Sequence, residues 1–399
     1  MTALEDAVRP AALRHFAHVD DDEVQRLFLH PPQPVGRDDD TDVVALALGA
    51  TLYLPAHRPA LSSDVVRQRA AGVSSVVLCL EDAVADDDLP AAEANLVRHL
   101  RALADDGAEI PFVFVRVRHP AQVGKLVHDL AEAAGVLTGF VLPKFTGRTG
   151  PAFLDAVRQA SVYLGRRLRV MPVIESPEVA HAETRAATLA DVAALVAEHR
   201  DDVLAVRIGA TDLSAAFGLR RRREVTVYDV RVVADVIADV VNVLGRSNGT
   251  GSVITGPVWE YFRGNPDRVF KPQLRETPFR VHDERPLRSD LLAHDLDGLI
   301  REVVLDQANG LAGKTVIHPS HVAAVHALSV VTHEEHADAL DVLGAGAGGG
   351  ASASTYRNKM NESKPHRAWA QRTVQRAHVF GVARPTTSFV DLLGAGTPR

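Results

Sequence analysis

VMPVIES (residues 170–176) and LAVRIGATDL (residues 204–213) decide the reading of this chain. Each opens with a short run rich in Val, Ile and Leu, the pattern of a buried parallel strand. Each then delivers one acid, Glu175 or Asp212. An acid leaving the carboxyl end of such a strand sits where barrel and open α/β enzymes build their sites. Two acids converging there would suit a hard divalent cation, which takes oxygen ligands. The alternative is two unrelated strand-end acids, each capping a helix or paired with an arginine.

Outward from these two runs the same grammar repeats. ATLYLP, SVVLCLE, PFVFVRV, GFVLPK, RVMPVIE, LAVRIGA, GSVITGP and KTVIHP alternate with amphipathic stretches such as Ser63–Ala71, Pro90–Ala104, Pro151–Leu164, Val179–His199 and Val227–Leu244. Strand–helix alternation of this kind predicts an α/β fold, a (β/α)8 TIM barrel over residues 43–335. Residues 1–42, acidic and punctuated by proline, read as an N-terminal arm. Residues 257–293, rich in proline, arginine and aromatics, interrupt the pattern between the seventh and eighth strands and are too long for an ordinary loop, so an active-site cover is expected. The glycine-rich 344–354 reads as a flexible linker, and 355–399 as a helical C-terminal tail.

Bulk properties narrow the function. The 399 residues are 46% hydrophobic, carry a formal net charge of -7 and contain one cysteine, Cys79, inside an apolar run. The acidic balance argues against nucleic-acid or anionic-membrane binding and for a small-molecule substrate. A lone buried cysteine excludes an intrachain disulfide framework and fits a reducing cytoplasm. The opening MTALEDAVRP lacks the apolar core of a signal peptide, and no stretch approaches the roughly 18 apolar residues of a membrane span. The glycines at 344–350 do not follow a strand within a βαβ unit, so a dinucleotide fingerprint is not expected.

Other residues could serve the two acids. Arg116 and Arg118 share a face by period-two spacing, and an arginine leaving a buried strand needs an anion: a substrate oxygen, or a neighbouring strand's acid. Glu81 and Asp82 end the second run, where they could orient a metal's water and pair with arginine, or simply cap a helix. Lys144 could bind an anion, form a Schiff base, or make a salt bridge. Arg58 closes a rigid turn after the first run. His318 precedes a proline that can start the next helix and reads as structural. Arg220–Arg223 is either a solvated basic loop or a phosphate-binding one.

In their order along the chain these pieces resemble the citrate lyase beta-subunit-like branch of the HpcH/HpaI aldolase superfamily. LYLPAHRP, VVLCLEDAV, Val115-Arg116-Val117, GFVLPK, the glutamate of an I-E-[ST] motif at Glu175, the aspartate of a G-x-x-D-L motif at Asp212, and Gly313 to Pro319 each match a family segment. The resemblance implies a barrel that binds Mg2+, or Mn2+, through Glu175 and Asp212, with Arg116 holding substrate oxygens and Arg58 and Lys144 as further anion contacts. It implies cleavage or formation of a carbon–carbon bond beside a carboxylate or thioester through an enolate. The substrate would be an oxo- or hydroxy-acid, its coenzyme A thioester or a phosphorylated analogue. The same site could instead perform acyl or phosphoryl transfer, or the barrel could be a catalytically silent subunit of a larger complex. A homo-oligomer, a trimer or a multiple of it, is implied as well. In the tail, Asn358 to Glu362 with Lys364-Pro365-His366 resembles a family segment whose acid reaches a neighbour's site; Glu362 is the nearest carboxylate, displaced by one residue. The long arm, the 257–293 insertion and the arginine run depart from the compact subunit and resemble a divergent bacterial subgroup of barrel-fold carbon–carbon bond lyases found with tellurium-resistance gene clusters.

Overall fold

The computed structural model describes residues 12–262, 296–345 and 349–397. Outside the barrel, β1 (Phe28–His30) leads in. The barrel strands are β2 (Ala50–Pro55), β3 (Ser75–Cys79), β4 (Phe112–Arg116), β5 (Leu137–Leu142), β6 (Arg169–Ile174), β7 (Val206–Ile208), β8 (Ile254–Thr255) and β9 (Lys314–Val316). From β2 to β8 each lies parallel beside its successor, and β9 returns beside β2. A parallel bridge between Gly256, just past β8, and Lys314 joins the two ends into a barrel.

Alternation along the strands sorts side chains by chemistry. On β2, Leu52 and Leu54 turn outward to the helices, while Thr51, Tyr53 and Pro55 turn inward. Register then aligns Pro55, Cys79, Arg116 and Val141 across β2 to β5. The outer face is closed by helices whose apolar residues recur at helical spacing. In Leu89–Asp106 these are Ala92, Leu96, Leu100 and Leu103, and the helix ends where Gly107 takes φ 62°. That left-handed turn releases the chain toward β4. Each fully buried leucine there stabilises the fold by roughly 1.5–3 kcal/mol.

Both ends of the chain wrap the barrel. The arm is anchored: Leu13 bridges Val35, and β1 pairs antiparallel with β12 (Val382–Ala383) near the other end. The tail helix Arg367–Phe380 packs on His333–Gly344 and on Thr41–Ala47, which precedes β2. Within the expected linker, Ala351–Ala353 forms β10, paired with β11 (Met360–Glu362). Gly349 and Gly350, at φ 81° and 137°, turn the chain so that the Gly350 carbonyl accepts from Ser363 N–H. Residues 351–353 of the expected linker are therefore strand-paired. Of the expected 257–293 cover, residues from 263 onward lie outside the described ones.

Under the barrel, His15 from the arm meets His326 edge-on, with ring centroids 4.6 Å apart. His15 Nε2 donates to the Ala47 carbonyl at 3.1 Å, and His326 Nε2 accepts from Ala50 N–H at 3.1 Å. Gly49, at φ 53°, turns the chain into β2 between them; a Cβ there would lie 2.7 Å from His326 Nε2. Burial pushes His15 down to about 3 and His321 to about 4, and holds His326 well below its ordinary value of 6.5. Each takes up on unfolding a proton it refuses in the fold. Stability is thus fully present above pH 6.5 and falls as pH drops toward 4, by about 1.4 kcal/mol per pH unit for each histidine. Urea denaturation between pH 8 and 5 is expected to show this loss, and His326→Gln to lessen it by one histidine's share; a pH-independent midpoint would contradict the assignment.

Candidate active site

Five of the residues singled out in the sequence meet at the carboxyl ends of β3 to β6. Arg116 is the hub. Its Nη2 lies 2.9 Å from Glu81 and 2.8 Å from Glu175, and its Nη1 lies 3.2 Å from Asp82. Lys144 Nζ adds a contact of 2.6 Å to Glu81 and 3.8 Å to Asp82. The Lys144 backbone takes a left-handed conformation, φ 47°, rare for a residue with a side chain. Its N–H donates to Glu175 Oε1 at 2.9 Å. Strain of this kind collects at functional sites, where surrounding contacts hold it.

Asp212 stands in the first turn of the helix Ala210–Ala215, directly after β7. It is close enough for its charge to act on Glu175, Asp82 and Lys144. Four carboxylates thus face two cations, an excess of two negative charges among the described residues. The protonation pattern follows. Burial, with the Asp212 charge added, pushes Glu175 up despite Arg116. Burial and the neighbouring Glu81 push Asp82 up as well. Glu81 is held down, against its burial, by hydrogen bonding with Asp82 and by Arg116 and Lys144. Two carboxyl groups driven apart in this way can divide the roles of proton carrier and fixed charge.

These residues fit a divalent cation by their chemistry. The oxygens are hard donors, the charge excess is two, and Mg2+ commonly takes only one or two carboxylates from the protein while keeping waters or substrate oxygens. Both hydrogen bonds to Glu175 use Oε1, and Oε2 packs over Gly209. Among the described residues no trio of His, Cys, Asp or Glu is placed to hold a metal by itself. Further ligands would have to come from water or substrate.

Gly209 was not legible as a site residue. A Cβ there would lie 2.2 Å from Glu175 Oε2 and 2.5 Å from its Cβ, so only glycine lets β7 pass this close to the acid. Gly209→Ala is expected to displace the Glu175 carboxylate and weaken Mg2+ binding about tenfold or more, an effect of the size seen when groups orienting a ligand are lost. Calorimetric titration of the variant would check it.

Arg118 departs from the spacing argument. β4 stops at Arg116, and Arg118 turns back to donate to the Leu80 carbonyl at 2.7 Å and the Glu81 carbonyl at 3.1 Å, with further contacts to Val84 and Asp86. It pins the loop that presents Glu81 and Asp82. Arg58 is drawn to Asp64 on the following helix, at 2.6 Å, rather than to the cluster. Glu362 makes its contacts within the tail, where its N–H donates to His366 Nδ1 at 3.1 Å. His318 caps the turn Pro319–His321 through Ser320, and its ring stacks on Phe262 with centroids 4.8 Å apart.

The arginine run divides. Arg220 and Arg222 are exposed, but Arg221 is buried against Glu302, over the Trp259 ring, and donates to the Val258 carbonyl at 2.8 Å. Neither expectation for the run, a wholly solvated loop or a phosphate cradle, describes Arg221. It fastens the start of the 257–293 segment to the barrel.

A parallel barrel of eight strands with a carboxylate-rich centre at their carboxyl ends is the architecture of (β/α)8 enzymes. The chain belongs to the family described as C-C bond lyases of the TIM-barrel fold, whose model matches residues 42–382. Among solved structures it is similar to a citrate lyase from Burkholderia xenovorans LB400, at 16% identity and TM-score 0.59; the match takes in 87% of this chain and 96% of that one. It is also similar to the CitE protein of Mycobacterium tuberculosis in complex with magnesium, acetoacetate and coenzyme A, at 22% identity and TM-score 0.51, covering 84% of this chain and 99% of that one. At these identities the likeness is one of fold. No curated protein matches the chain. Among the described residues no helix is long and apolar enough to cross a membrane.

Proposed function

We propose that the protein is a Mg2+-dependent carbon–carbon bond lyase acting on an oxo- or hydroxy-acid, free or as its coenzyme A thioester or a phosphorylated analogue. The observation that carries this is the charge excess at the strand ends: Glu81, Asp82, Glu175 and Asp212 against Arg116 and Lys144. Family membership supports the reaction class.

Glu175 and Asp212 would hold the cation, which supplies positive charge where an enolate oxygen develops. Arg116 would hold the substrate's oxygens. Its guanidinium is already fixed by three carboxylates, and its buried Nε has no hydrogen-bond partner among the described residues. Such a preorganised donor needs no reorganisation when charge appears. Asp82, half-exposed and with its carboxyl pushed up to about 6, would take up and return the proton exchanged with the substrate, while Glu81 stays ionised and orients water. Lys144 would steady both acids and meet an anionic substrate group. Glu362 has a role only toward a second protomer, since in its own chain its contacts remain in the tail.

Calorimetric titration with Mg2+ and Mn2+, followed by crystal soaks with pyruvate, oxaloacetate or acetyl-coenzyme A, tests the reading. One specific cation per chain and a carboxylate ligand beside Arg116 are expected. A protein that binds neither metal would not be this enzyme.

A further inference from the structure

A further cation lies in the barrel interior, below the cluster, and the reaction proposed above does not use it. Arg207 on β7 is 1% exposed. Its partners are neutral: Thr51 Oγ1 at 3.3 Å, Thr315 Oγ1 at 2.5 Å, Met171 Sδ at 3.7 Å, and the Tyr53 ring, whose centroid lies 5.5 Å from the guanidinium carbon. Among the described residues its Nε is buried without a hydrogen-bond partner, as is the hydroxyl of Thr255, its register partner on β8. The other buried cations described above are neutralised: Arg116 by three carboxylates, Lys314 by Glu302 and Asp306, and Arg221 by Glu302. A guanidinium keeps its charge in any protein environment, and burying it against neutral groups opposes folding. A fold that retains such a group gains something other than stability from it.

What Arg207 touches on the way to the site is Tyr53. Tyr53 shares the inward face of β2 with Thr51, and both its ring and its hydroxyl engage the buried guanidinium. Arg116, Glu175 and Cys79 all act on it electrostatically. A phenol in this place is a neutral donor, and a cation beneath its ring strengthens the hydrogen bond it can give to an anion above.

We propose that Tyr53 donates a hydrogen bond to the substrate oxygen that gains charge, and that Arg207 is the positioning residue that holds Tyr53 and adds positive potential beneath it. This rests on the metal–enolate reading of the site and extends it by naming a substrate with a planar, oxygen-rich anionic head. The substrate's oxygens would lie between Arg116 on one side and the Tyr53 hydroxyl on the other.

Oxalate, which has the shape and charge of an enolised 2-oxo acid, is the probe. Calorimetry with Mg2+ alone and then with oxalate compares wild type, Tyr53→Phe, Arg207→Met and Arg207→Lys, with thermal melting of each. Tyr53→Phe keeps the ring and removes only the donor. It is expected to leave Mg2+ affinity unchanged and to weaken oxalate at least tenfold. Arg207→Met is expected to weaken oxalate similarly while its Tm stays level or rises, and Arg207→Lys to recover part of the affinity. A purely structural role for Arg207 predicts the reverse, a lower Tm with oxalate unaffected, and would overturn its part in the inference. Wild-type oxalate affinity in Tyr53→Phe, with Mg2+ still bound, overturns the inference alone. Failure of the wild type to bind Mg2+ overturns the reading beneath it.

Discussion

Glu175→Gln is expected to lower Mg2+ affinity by roughly a hundredfold or more and to abolish metal-dependent turnover, while the protein melts at the wild-type temperature or above. Losses of ten- to a hundredfold attend groups that only orient a ligand, so loss of a ligand itself should exceed them. The stability half of the prediction comes from the environment of the acid. Glu175 is almost fully buried, and burial with the nearby Asp212 pushes its carboxyl up, so its ionised form opposes folding at neutral pH. Glutamine keeps the shape. Its amide oxygen can still accept from the Lys144 N–H and from Arg116, the two donors now at 2.9 and 2.8 Å. Asp212→Asn should match it in metal binding, because its charge too is felt across the cluster. If these acids were structural ion-pair partners only, both variants would lose stability and Mg2+ titrations would not change. Calorimetry and melting curves on the same samples separate the outcomes.

How far the sequence carried this site depends on the range of each contact. Glu175 and Asp212 were legible because both signals are local: an apolar run sets the strand and the acid follows it. Glu81, Arg116 and Lys144 were placed by the same rule, applied to β3, β4 and β5. Period-two spacing fails for Arg118 because β4 ends two residues earlier, leaving that side chain free to fold back on the Leu80–Val84 loop. Arg221 was hidden inside a run of like charges, since its neutralising partner Glu302 is 81 residues away. Gly209 carries no chemistry of its own; its need appears only when β6 and β7 are side by side. Arg207 was quoted within a strand and not singled out, because its partners Thr51 and Thr315 lie 156 and 108 residues away in the chain. The partner Arg58 takes is local: Asp64, one helical turn into the next element, pairs with it.

Lys314→Met is expected to destabilise the fold by about 3–5 kcal/mol, the cost of removing one partner from a buried ion pair. Lys314, Glu302 and Asp306 are fully buried at the seam where β9 meets β8, and Lys314 Nζ lies 3.0 Å from Glu302 and 2.6 Å from Asp306. Arg221 and the Val227 N–H also bind Glu302, and the Tyr228 hydroxyl donates to Asp306 at 2.8 Å. Removing the lysine leaves two carboxylates with one cation. Asp306 is the weak member, since burial and the adjacent Glu302 push its carboxyl up even beside Lys314. Without the lysine it will be pushed further, and its protonated form will be the one the interior tolerates. The deficit between variant and wild type should therefore be largest near pH 8, where Asp306 must ionise, and narrow toward pH 5, where the proton is supplied. The buried histidines weaken both proteins alike in that range and cancel in the difference. Adding Asp306→Asn to Lys314→Met removes the stranded charge, and should recover part of the loss at pH 8 and little at pH 5. Urea denaturation at the two pH values measures all four quantities. An equal deficit at both would mean that the lysine acts through packing alone, and that the seam is closed by backbone pairing rather than by this buried charge.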